Sequence, residues 1–236
     1  MLLARLAALI LLPLALASCV LAPGKFTSSL IVNADRSFSF SYVGEVISAE
    51  PESGPMGMMT KGGDKANEED DPAETSRQLA KKKAKADVKN RAIAASLSKE
   101  AGYRKVDYMG DGVFMIDYAV TGRLDHAFVW PFNTDAEVIL PFVAIELRQG
   151  GVVRVKAPAF ANEGASATPG MSAMPGAESL QGTAKLDGIF TLDTDAAIIS
   201  QNNEDGVSSV GARKKMVWRA TPSLKSAPTA VLRLGQ

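Results

Sequence analysis

The chain has 236 residues, and its 26 lysines and arginines balance its 26 aspartates and glutamates, so no overall field draws it to nucleic acid or to an anionic membrane. A hydrophobic fraction of 46% is ordinary for one large or two small folded domains. A single cysteine and a single histidine exclude a disulfide framework and the usual zinc ligand sets.

The chain opens with MLLARLAALILLPLALAS, one charge (Arg5) followed by an apolar run from Leu6 to Ala17. That run is too short to cross a bilayer, which takes about 20 apolar residues in a helix. A short positive region, an apolar stretch and small residues ahead of a cleavage point form a secretory signal. Leu16-Ala17-Ser18-Cys19 matches the lipobox of bacterial lipoproteins, Leu-[Ala/Ser]-[Gly/Ala/Ser]-Cys. The resemblance implies that residues 1–18 are a signal peptide. It also implies that Cys19 carries thioether-linked diacylglycerol and becomes the N-acylated first residue. Val20 follows where an aspartate would favour retention at the inner membrane, so the same resemblance implies the periplasmic face of the outer membrane. Acyl chains hold a protein firmly there, at about 0.8 kcal/mol per buried methylene.

Residues 19–25 read as a lipidated tether and 26–236 as one α+β domain. In KFTSSLIVN, Phe26, Ser28, Leu30 and Val32 share one face; in SFSFSYVGEV, serines alternate with Phe38, Phe40 and Tyr42. Period-two alternation marks half-buried strands, and Asn33 to Arg36 suits the turn of a hairpin between them. The aromatic stripe reads as the core side of a sheet rather than as a ligand platform. From Glu50 to about Ala73, Gly, Pro and charge predict a flexible insertion. Good helix formers from Glu74 to Ala101, between Pro72 and Gly102, predict a helix whose stripe is Ile93, Leu97 and Ala101. Its first half, QLAKKKAKADVK, reads as solvated.

Strand signals return at Gly102-Tyr103, with a hairpin turn at Asp111-Gly112 and another at Gly150-Gly151. A second low-complexity insertion spans about 161–182, and short strand-like segments follow to the end. The expected fold is therefore α+β: a large curved antiparallel sheet able to curl into an open barrel, one principal helix, and two disordered insertions at about 50–73 and 161–182.

Catalytic patterns are sparse. His126 has Asp125 beside it, but neighbours on a strand point to opposite faces, and no Gly-x-Ser-x-Gly elbow is present. Asp193, Asp195, Asn202, Asn203, Glu204 and Asp205 could offer oxygen to calcium. The EF-hand spacing fails at Ala197 and Ile198, so they read as turn residues. Met56, Met58, Met59, Met171 and Met174 fall in the insertions, and thioethers select Cu(I), which makes periplasmic copper handling the alternative function. The basic run Lys81, Lys82, Lys83, Lys85, which the acidic run about ten residues earlier can neutralise, reads as a solvated helix face that could also meet anionic headgroups or an acidic partner. No cofactor fingerprint is present, and secretion removes nucleic acid as a partner.

The order of Leu16–Cys19, Ser37–Val46, Gly102-Tyr103 and Val217-Trp218 resembles uncharacterised bacterial lipoproteins of the LppM type. The resemblance implies an α+β domain and a lipid or amphiphile as ligand class, and transfers no site residue beyond Cys19. The function expected is non-enzymatic: a membrane-anchored periplasmic lipoprotein that binds a lipid or amphiphile, or an envelope protein partner. A Cys19→Ser chain should lose palmitate labelling and either leave the membrane fraction or accumulate as precursor; labelling that survives the change refutes the anchor.

Overall fold

Alternation of side chains, continued over strands of unequal length, decides the architecture. The computed structural model describes residues 20–49, 72–132, 141–161 and 186–235. A seven-stranded sheet takes β1 (Val20–Val32), β2 (Ser37–Ala49), β3 (Tyr103–Gly110), β4 (Val113–Arg123), β8 (Asp187–Thr194), β10 (Ser208–Val210) and β11 (Arg213–Ala220). A five-stranded sheet takes β5 (Phe128–Trp130), β6 (Val143–Arg148), β7 (Val152–Lys156), β9 (Ala197–Gln201) and β12 (Thr229–Arg233). Among the described residues the only α-helix is α1 (Pro72–Leu97). The strand orders are β10-β11-β8-β1-β2-β4-β3 and β5-β6-β7-β12-β9, both open-ended, so neither sheet closes into a barrel.

The expected hairpins are present. Asn33 N–H donates to Ser37 O at 2.9 Å across the β1–β2 turn, and the Asp35 carboxylate accepts from the Ser37 hydroxyl at 2.6 Å. Those Ser37 bonds hold the Asp35 carboxyl below its ordinary range. Asp111 and Gly112 adopt positive φ between β3 and β4, as the tight turn requires.

The expectation of an antiparallel sheet holds for every pairing except one. β1 pairs with β8 in parallel, from Lys25 opposite Asp187 to Val32 opposite Thr194. β2 occupies one edge of β1, and the other edge is met only after the chain has built β3 to β7. A parallel partner needs such a long crossover. β1 also begins at Val20, opposite Ala49, so the stretch 19–25 is strand from its second residue. The two predicted insertions fall almost entirely on 50–71 and 162–185, outside the described residues.

The inner faces of the sheets meet in an aromatic layer. Tyr42 and Phe40 from β2 lie 4.7 and 5.4 Å from Trp130 of the second sheet, and Phe142 packs on Tyr42 at 5.7 Å. The stripe Phe38, Phe40 and Tyr42 is buried, as the core reading requires. Phe26 is stacked between Tyr42 at 5.1 Å and Phe160 at 4.3 Å, and its ring covers Gly188 of β8.

The helix differs in detail from its predicted form. It stops at Leu97, and Ala101 is exposed. Among its described side chains the buried ones are Asn90 and Ala94, with Ile93 and Leu97 partly covered. A polar contact fastens it: the Tyr108 hydroxyl donates to the Asp87 carboxylate and accepts from Asn90 Nδ2 at 3.4 Å. Residues 80–85 are exposed throughout, as expected of the solvated half.

Two outcomes follow from this core. A Cβ on Gly188 would enter the Phe26 ring, which its stacking partners keep from moving away. Gly188→Ala should therefore cost about 1–3 kcal/mol in urea denaturation. Phe26→Leu in the same chain should recover part of that loss, and strict additivity in the double-mutant cycle refutes the clash. The second concerns pH. Burial, then the neighbouring Tyr118 and Glu100, push the Tyr103 phenol up to about 12, and burial raises Tyr42 and Tyr118 as well. Unfolded tyrosine ionises near 10, so the unfolded chain holds fewer protons above that pH. Stability is intact below about pH 10 and should fall as pH rises toward 12, with a shallower fall in Tyr103→Phe.

Candidate functional site

The site begins where β10 stops. β10 pairs with β11 only from Val210–Arg213 to Ser208–Lys215, whereas β11 continues along β8 to Ala220. From Met216 onward, the edge of β11 away from β8 faces the turn after β9 and the loop before β12. These three walls enclose a cleft of about 560 Å³, lined by Asn202 to Asp205, Val217 to Arg219, and residues of the 221–226 loop.

Two asparagines build the cleft. Asn202 accepts from Thr229 N–H and donates to Ala227 O, both at 2.8 Å, which ties the turn after β9 to β12. Asn203 is buried, donates its backbone N–H to the Gln201 side-chain oxygen, and donates through Nδ2 to Val217 O at 2.6 Å. That last bond shows which way the β11 backbone points. The Val217 carbonyl faces the cleft, so the Val217 N–H does too, and the period of two turns the N–H and C=O of Arg219 the same way. The side chains alternate accordingly: Trp218 points inward and stacks on Phe190 at 5.7 Å, while Val217 and Arg219 are exposed on the outer face. Asn203 Oδ1 and Trp218 Nε1 are buried without a hydrogen-bond partner among the described residues. Charge on the walls is mixed, with Glu204 and Asp205 on one side and Arg219 and Lys225 on the others. The cleft can therefore offer backbone donors and acceptors together with both signs of charge.

The residues singled out from sequence are dispersed. Cys19 and all five loop methionines (Met56, Met58, Met59, Met171 and Met174) lie outside the described residues. His126 is exposed between β4 and β5, and the Asp125 carboxylate faces Arg123 Nε at 3.5 Å. Of the oxygen-rich residues, Asn202 to Asp205 meet in the cleft wall, and three of the set tie strands together. Asp193 pairs with Arg213 at 2.5 Å, Asp195 accepts from Ala34 N–H at 2.6 Å, and Asn202 bridges to β12. No group of three or more His, Cys, Asp or Glu side chains is placed to hold a metal ion among the described residues. Lys83 is paired with Asp111 at 2.6 Å. Among the described residues no helix is long and apolar enough to cross a membrane.

The cleft itself was not singled out from sequence. Its only local signal is the Asn-Asn-Glu-Asp-Gly turn, which looks like any other turn until Val217 and the 221–226 loop are brought against it.

No family model matches the chain, and no curated protein does. Among solved structures, the folded domain of the Mycobacterium tuberculosis LppM protein, determined by NMR, is similar over 91% of this chain and 93% of its own, with 17% identity and a TM-score of 0.33. A likeness that distant determines neither fold nor function.

Proposed function

We propose that this protein is a non-enzymatic lipoprotein of the cell envelope, anchored through Cys19 at the periplasmic face of the outer membrane, that holds an extended segment of an envelope protein partner in the β11 cleft. The lipobox supports the address. The observation that carries the binding role is the outward N–H of Val217 and the outward N–H and C=O of Arg219, which β10 leaves uncovered within a walled cleft, the Val217 carbonyl being held by Asn203. An extended chain docking there would gain main-chain hydrogen bonds from β11, and the wall residues would select its side chains.

The amphiphile half of the expectation has less support. Phe38, Phe40 and Tyr42, the surface it would use, pack against Phe128, Trp130 and Phe142 across the sheet interface.

Val217→Pro removes the outward N–H while leaving the bonds toward β8 in place, and Pro is tolerated on a free strand edge. With a photo-crosslinking residue at Leu224, the parent chain should form a discrete envelope adduct. In Val217→Pro that adduct should fall at least several-fold at unchanged thermal stability. An adduct of equal yield in both chains, or no adduct in the parent, overturns the cleft as the binding site.

A further inference from the structure

α1 overshoots the sheet on which it packs. Its contacts run in the opposite direction to β3: Asn90 and Asp87 meet Tyr108, and Lys83 meets Asp111 in the β3–β4 turn. The helix from Lys83 back to Pro72 therefore extends beyond that turn, by roughly 16 Å at the helical rise. This is the same end of the sheet at which β1 begins. Val20 lies opposite Ala49, Ile47 lies opposite Val113, and Ser48 N–H donates to Gly112 O at 2.8 Å. The start of β1 and the β3–β4 turn are thus separated only across β2 and β4, roughly 10–12 Å at the spacing of strands.

The overshooting half and the turn behind it carry a run of exposed cations. Arg77, Lys81, Lys82, Lys83 and Lys85 are exposed, and Glu74 is the single acid from Pro72 to Ala86. Asp111 offsets Lys83 alone. The carboxylates of Glu68 to Asp71 stand just ahead of the helix in sequence. Lys81 to Lys85 follow Asp71 by ten to fourteen residues along the chain.

We infer that the N-terminal half of α1 is a membrane-contact surface, lying on anionic headgroups of the bilayer that holds Cys19. The inference rests on the lipid-anchor reading, and one feature of β1 makes it specific. Strand structure begins at Val20, the residue after Cys19, so no spacer carries this end of the sheet away from the bilayer. The lipid would hold the lysines within reach of headgroups, and Coulomb attraction would orient the sandwich on the surface.

The test uses the full chain purified from membranes and reconstituted in phosphatidylcholine vesicles, with or without phosphatidylglycerol. Accessible amines are labelled with a membrane-impermeant reagent and read by peptide mass spectrometry, relative to Lys99 at the opposite end of α1. In phosphatidylglycerol vesicles at low salt, Lys81, Lys82 and Lys85 should react at least three-fold more slowly. In 0.5 M salt, where the Debye length is roughly 4 Å, the protection should disappear. A lipidated chain with equal lysine reactivity in both vesicles overturns the inference, leaves the anchor standing, and frees the basic half for an acidic soluble partner. An N-terminal peptide without acyl mass on Cys19 removes the anchor and the inference with it.

Discussion

The pairing of β1 with β8 is the constraint on which the rest of the molecule depends. β1 sits inside the larger sheet with β2 on one side, and its other edge would remain open without a strand from the far end of the chain. The parallel register brings Phe26 over Gly188, and the stack Tyr42–Phe26–Phe160 then forms across the sheet interface. β8 in turn holds β11. The segment after β8 moves between the sheets, so that β9 and β12 complete the smaller sheet while β10 and β11 complete the larger. The two sheets are therefore joined by chain continuity and by a shared core, and neither could reach its final strand order alone.

This arrangement separates the two surfaces of functional interest. β11, with its cleft, and β3, with α1 packed on it, lie on opposite flanks of β1. The start of β1 lies between them. For a chain attached at Cys19, one flank would present charge to the bilayer and the other would present a short free strand edge to a partner. Neither surface competes with the aromatic layer, whose large side chains are buried in the core cluster. In the same frame His126 is exposed between β4 and β5, and Asp193 and Asp195 hold strand ends together.

Much of the fold was legible residue by residue. The alternation of Ser37 to Tyr42 identifies a half-buried strand because successive side chains must point to opposite faces. Asp111-Gly112 and Gly150-Gly151 announce hairpins because those positions take positive φ, as they do here. The helix was legible from composition, yet its anchoring was not. Asp87 and Asn90 look like surface residues until Tyr108 arrives from β3 to bond them. The parallel pair was hidden because alternation records which face of a strand is buried and carries no information about its neighbour or its direction.

By itself, the sequence determined the features that need only a few adjacent residues: the lipobox-like motif Leu16 to Cys19, the period-two strands, the turns, and the cationic half of α1. Tertiary structure alone decided which strands share a sheet, that the smaller sheet closes over the aromatic face, and that β11 outruns β10 to leave a cleft. It also decided that the first strand begins at Val20 on the same end as the overshooting helix. The reason is physical. Local propensity and hydrophobic period act within a window of a few residues, whereas an edge, a cleft or a shared end exists only after hydrogen bonds and packing have joined segments far apart in the chain.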